Sequence, residues 1–146
     1  MAVSANGFVA RGPEDDMSWT GKLDKNIFRL LTSLSSEPLF AGKRTFNQMP
    51  PLPGRVVFPL SFEDRTCYDL KTAQFNHPSS WLIGGQTVAL EALRLGMLDE
   101  VVLCKNSVWL KSGIKLDTRL PNFGNFINEI KFKDGDEAVS VMILRK

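Results

Sequence analysis

Apolar residues fall along the chain in short runs divided by turn-forming residues, and the spacing within each run predicts alternating strands and helices. Residues 23–34 have helical period: Ile27, Leu30 and Leu34 form one apolar set directed at a core, while Asp24, Phe28 and Leu31 share a second face. Residues 87–95 repeat the pattern, with Val88, Leu90, Ala92, Leu93 and Leu95 supplying a packing surface, and residues 45–49 predict a shorter helix. Brief continuous apolar runs at 38–41, 55–60, 81–83 and 101–104 predict strands, with Pro59 marking an edge or a strand end. Residues 127–132 and 138–144 flank Asp134-Gly135-Asp136 and predict a terminal antiparallel hairpin.

The remaining segments are connections. Two short apolar runs at 1–4 and 8–10 are divided by the turn signal Ala5-Asn6-Gly7, and residues 11–16 form a polar loop. Pro50-Pro51-Leu52-Pro53-Gly54 is a rigid loop, and Gln74-Phe75-Asn76-His77-Pro78 also reads as loop. With no repeat or linker in 146 residues, one domain over 1–146 is expected. Its predicted class is α/β: a central, mostly parallel sheet with flanking helices and an antiparallel C-terminal hairpin.

Composition narrows the function classes more than it names one. A hydrophobic content of 43% and a charged content of 23% are those of an ordinary globular protein. A net charge of +2 gives no field for nucleic acid or a membrane surface, so any cation-dependent function must rest on a few placed side chains. Cys67 and Cys104 lack metal-type spacing, and His77 is the only histidine, so no metal is expected. No run is long enough for a membrane span and no signal-peptide pattern is present, which points to the cytoplasm.

Two strand-to-helix junctions carry candidate chemistry. Gly42-Lys43-Arg44-Thr45 places two cations and a hydroxyl where free helix N–H groups and the helix dipole attract anions. Ile83-Gly84-Gly85-Gln86-Thr87 places paired glycines where backbone can approach a ligand closely. Each alone is a common turn. Together, at the carboxyl ends of strands, they suit a ligand with two phosphate regions, although neither carries the six-residue glycine fingerprint of other dinucleotide folds. Asp24, read by itself, is a helix cap or a dipole partner.

Taken in order, Trp19 with Asp24 and Phe28, Gly42-Lys43-Arg44-Thr45, Leu52-Pro53-Gly54-Arg55 and Ile83-Gly84-Gly85 resemble the dihydrofolate reductase family from about residue 2 to residue 104. The resemblance implies that fold, and NADPH-dependent reduction of dihydrofolate to tetrahydrofolate by a monomer. Asp24 would anchor the pterin ring and assist its protonation. Phe28 and Leu52 would pack on the substrate, Arg55 would grip its glutamate carboxylate, and Ala2, Ile83 and Cys104 would line the pterin side. Ala2, Met17 and Ile83 would also meet the nicotinamide, Met17 and Trp19 belonging to a closing loop. Gly42, Lys43, Arg44, Thr45, Leu60, Ser61, Gly84, Gly85, Gln86, Thr87 and Val88 would hold the rest of the cofactor, with a cis bond between Gly84 and Gly85 and the cation pair favouring the 2′-phosphate.

The chain departs from that pattern in places. It begins several residues after the family's first strand, so a start further upstream is expected. Ala89 stands where bacterial members carry an aromatic residue, and Cys104 where a threonine commonly backs the acid, which predicts a weaker hydrogen bond to Asp24. Two other readings stay open. Gly42-Lys43-Arg44-Thr45, Gly84-Gly85, Leu98-Asp99-Glu100, Ser112-Gly113-Ile114 and the start Ser4-Ala5-Asn6-Gly7 are also similar to riboflavin-pathway reductases, whose substrate is a phosphoribosyl-aminopyrimidine. A nucleotide- or pterin-binding protein of the same fold without catalysis is the third.

Overall fold

The computed structural model describes all residues, Met1–Lys146. Strands are β1 (Ala2–Val3), β2 (Phe8–Ala10), β3 (Leu39–Gly42), β4 (Val57–Leu60), β5 (Trp81–Gly84), β6 (Glu100–Asn106), β7 (Ile114–Lys115), β8 (Asn125–Asp134) and β9 (Glu137–Arg145). Helices are α1 (Gly21–Ser33), preceded by a 3-10 turn at Ser18–Thr20, then α2 (Lys43–Gln48), α3 (Leu70–Asn76) and α4 (Gln86–Arg94). The class is mixed α/β, with parallel strands joined through helices and an antiparallel C-terminal hairpin. No helix is long and apolar enough to cross a membrane.

The chain divides into two compact units, one of Met1–Phe28 with Leu98–Lys146 and one of Arg29–Met97. In the first, β1, β6, β9 and β8 form a four-stranded sheet in that order. β1 runs parallel to β6, with Ala2 opposite Cys104, and the β6–β9–β8 ladders are antiparallel. Its core on one face is Val3, Val9, Leu103 and Leu144. β2 and β7 make a separate antiparallel pair. The start of α1 is held by Glu137, whose carboxylate accepts from the Lys22 N–H at 2.7 Å and the Leu23 N–H at 3.2 Å.

In the second unit, β4, β3 and β5 form a wholly parallel sheet with β3 in the middle. All four residues of β3 are buried, as a central parallel strand covered on both faces requires. Pro59 lies on β4 at the sheet edge, where its missing N–H costs no ladder bond. Asp69 caps α3 by accepting from Thr72 N–H at 2.8 Å. α4 closes with Gly96 at φ +69°, its N–H bonded to Leu93 O and that of Met97 to Ala92 O. That double bond is a Schellman stop, which only a residue at ease in the left-handed region completes without strain.

Three expectations need correction. Of the apolar set assigned to the core from α1, only Ile27 is buried; Leu30 is 54% and Leu34 75% exposed. Asp24 and Thr32, both polar, take buried places instead, so hydrophobic period alone misassigned the inward face. Residues 74–76 close α3 and His77 is its C-cap, stacked on Phe58, because the Asp69 cap starts a helix that a short polar run does not advertise. α1 begins at Gly21, ahead of the predicted start, since Glu137 supplies the cap from far along the chain.

Candidate functional site

In the first unit the strand period of β6 decides what faces α1. Cys104 and Asn106 are two residues apart on one face, both buried. Asp24, in the first turn of α1 and 7% exposed, receives the side-chain amide of Asn106 at 3.0 Å, and the same amide bonds Cys104 O at 3.1 Å. Burial pushes the Asp24 carboxyl above its ordinary value, opposed by the Asn106 hydrogen bond and by the positive charges of the chain amino group and Lys25. Burial likewise raises the Cys104 thiol, with the Asp24 charge adding to it. The cluster of Ala2, Asp24, Cys104 and Asn106 is therefore an acid with an elevated proton affinity, oriented by one amide. Phe28 lies one turn beyond Asp24 on α1, half-buried.

The cap reading of Asp24 does not hold, because Glu137 occupies that role. The residue expected behind the acid was Cys104; the donor is Asn106, two positions further along the strand. A polar amide interrupting an apolar strand at the right parity was the available signal. The predicted strand ended at residue 104 and so stopped short of it.

Asp15 organises the loop that carries Met17 and Trp19. Its carboxylate accepts from Arg11 N–H at 2.6 Å, the Arg11 guanidinium, Met17 N–H at 2.9 Å and the Trp19 indole at 2.8 Å. Burial raises this carboxyl, yet these donors together hold it below its ordinary value. Met17 takes a left-handed conformation at φ 60° within that network.

In the second unit the two junctions meet. β3 and β5 are parallel neighbours, so the starts of α2 and α4 share one end of the sheet. The Gly84–Gly85 peptide bond is cis. A Cβ at Gly42 would lie 2.8 Å from Val88 Cγ2, and one at Gly85 3.1 Å from Thr45 Oγ1. Neither Gly42 nor Gly85 caps its helix with a side chain, whereas the N–H groups starting α1 and α3 are taken by carboxylates. The two junctions thus keep an anion-attracting end that the other helices have neutralised. Gln86 and Thr87 lie in the first turn of α4, Ile83 on β5 just before the glycine pair.

The cations are placed unequally. Lys43 Nζ pairs with Asp64 Oδ2 at 2.5 Å, which raises the lysine and holds Asp64 well below the carboxylate range. Arg44 is exposed on the first turn of α2. Leu60 ends β4 buried, and Ser61 follows, its hydroxyl accepting from Glu63 and Asp64 N–H. Before β4, Arg55 donates from Nη1 to the buried Thr32 hydroxyl at 2.9 Å, and its N–H closes a turn onto Leu52 O. Neither Lys43–Asp64 nor Arg55–Thr32 has a local sequence signal, since each joins distant segments. Comparison with protein-family models returns no match, and comparison with curated proteins returns none.

Proposed function

We propose that the protein is an NADPH-dependent reductase of the dihydrofolate reductase type, acting on dihydrofolate with each chain a complete catalytic unit. The observation that carries this reading is Asp24, a buried carboxyl with raised proton affinity held by a single amide. A buried carboxyl in that setting suits a flat cationic heterocycle: it can pair with ring N–H donors in a bidentate fork, and burial raises its affinity for a proton. A surface carboxylate does neither.

The second unit fits the cofactor by its own geometry. Gly42 and Gly85 let the two junctions pack closely against Val88 and Thr45, and the first turns of α2 and α4 would offer N–H groups to phosphates. Thr45, Gln86 and Thr87 add polar groups, Leu60, Ser61 and Val88 border them, and Arg44 with Lys43 favours a 2′-phosphate. When bound, NADPH supplies the hydride. In the first unit Ala2 and Cys104 would border the ring, Met17 would belong to the loop that excludes water and Phe28 would pack on the substrate; in the second, Ile83 would meet the ring, Leu52 would pack on the substrate and Arg55, steadied by Thr32, would bind its carboxylate.

The test is consumption of NADPH, followed by its near-ultraviolet absorbance, with dihydrofolate and then with the riboflavin-pathway aminopyrimidine. Turnover of dihydrofolate, lost by roughly 100-fold or more in Asp24→Asn with NADPH affinity retained, is the expected result. Turnover of the aminopyrimidine alone would replace the substrate. No turnover of either, with NADPH still bound, would leave a binding protein.

A further inference from the structure

β8 is a ten-residue strand at the edge of the four-stranded sheet, bonded on one side to β9 and open on the other. Such an edge invites another strand unless its side chains forbid one. The hairpin turn fixes which groups point outward. Asp134 and Glu137 close a two-residue turn and so exchange hydrogen bonds, which makes Phe132 and Ile130 the next residues bonded inward to β9. Glu129, Lys131 and Lys133 therefore present their N–H and C=O groups to the open side; the Glu129 N–H is meanwhile held by its neighbour Asn128 Oδ1 at 2.8 Å.

The side chains add a second condition. Along β8, Glu129, Lys131 and Lys133 lie on one face and Asn128, Ile130 and Phe132 on the other. Ile130 is 42% exposed, and Phe126 and Ile127 are exposed beside it. A second β8 laid antiparallel about Ile130 would set Glu129 opposite Lys131 of the copy, and Lys131 opposite its Glu129. The same register brings the two outward-pointing groups into hydrogen-bonding positions and Ile130 against Ile130. Centring instead on Glu129 opposes two glutamates, and on Phe132 it sets Lys131 against Lys133 twice; centring on Lys131 pairs Glu129 with Lys133 twice but opposes the two Lys131 side chains, so of these registers the Ile130 centre alone opposes no like charges. Lysines that repel most strands from this edge thus admit one whose glutamate meets them.

The geometry points to a symmetric dimer in which two copies of the chain pair through β8, centred on Ile130, to continue the sheet. This departs from the monomer expected from the sequence and is independent of the reaction catalysed. Sedimentation equilibrium of the full chain tests it, with far-ultraviolet circular dichroism confirming the fold of each variant. The wild-type protein is expected to dimerise. Glu129→Lys and Lys131→Glu should each weaken the dimer by about tenfold or more, because each sets like charges opposite at two places. An equimolar mixture of those two variants, and the double variant E129K/K131E, should restore association, since both arrangements oppose unlike charges again. A wild-type protein monomeric up to about 100 µM overturns the proposal. So does a dimer that the single substitutions leave intact, or one that neither the mixture nor the double variant restores.

Discussion

The side-chain amide of Asn106 donates to Oδ1 of Asp24 over 3.0 Å, with both residues buried. A hydrogen bond to the ionised form lowers a carboxyl's proton affinity, so Asn106 restrains the rise that burial imposes on Asp24. Asn106→Leu removes the donor and keeps the bulk. The acid should then titrate at higher pH and, under the proposed function, the pH–rate profile should move in the same direction, with turnover at neutral pH changed by roughly tenfold. A profile unmoved while turnover falls would assign Asn106 a merely structural part.

The same acid costs stability when charged. Its folded value lies above 3.8, so between the unfolded and folded values the folded chain binds more protons. Stability therefore declines as pH rises through that window and levels off above it. Asp24→Asn removes this slope. Urea unfolding should find the variant more stable than the parent at neutral pH and no more stable below the ordinary carboxyl range.

Glu137 closes the N-terminus of α1 through Lys22 and Leu23 N–H. Glu137→Ala should cost about 1–2 kcal/mol in urea unfolding, the loss of a helix cap made by a charged acceptor. Glu137→Gln keeps one acceptor and should lose less. Because the cap sits in the same first turn as Asp24, the alanine variant should, under the proposed function, also lower turnover, while cofactor affinity should stay near that of the parent.

Gly42 has an ordinary backbone conformation at φ −54°, so its need for glycine is steric: a Cβ would meet Val88 Cγ2 at 2.8 Å. Gly42→Ala should destabilise by about 1–3 kcal/mol through overpacking and weaken NADPH binding. Val88→Ala in the same chain removes the obstructing methyls and should recover most of the stability. A double-mutant cycle showing simple additivity would contradict this account.

Local signals in the sequence were enough for most elements and both junctions. Turn residues and caps mark β3, α2, β5 and α4, and Gly135-Asp136 marks the hairpin, because each rests on residues adjacent in the chain. Asp24 was visible as an acid among apolar neighbours, but its environment was not. Asn106 lies 82 residues away and Glu137 is further still, and no local pattern links either to the helix they complete. Leu30 and Leu34 misled for the complementary reason: leucines at helical spacing look inward until Thr32 and Asp24 are seen to occupy those places. The Arg55–Thr32 and Lys43–Asp64 pairs were out of reach on the same ground.

The cap from Glu137 has a consequence for how the chain is made. The unit of Arg29–Met97 is continuous in sequence, so all of it is synthesised before β6. The acid's own surroundings are discontinuous: Asn106 arrives late, and Glu137 among the last residues. Without the hairpin, the Lys22 and Leu23 N–H groups at the start of α1 lack the acceptor that Glu137 supplies. The residues of the parallel sheet are thus complete before those that surround the acid, and a product truncated ahead of the hairpin would lack the Glu137 cap.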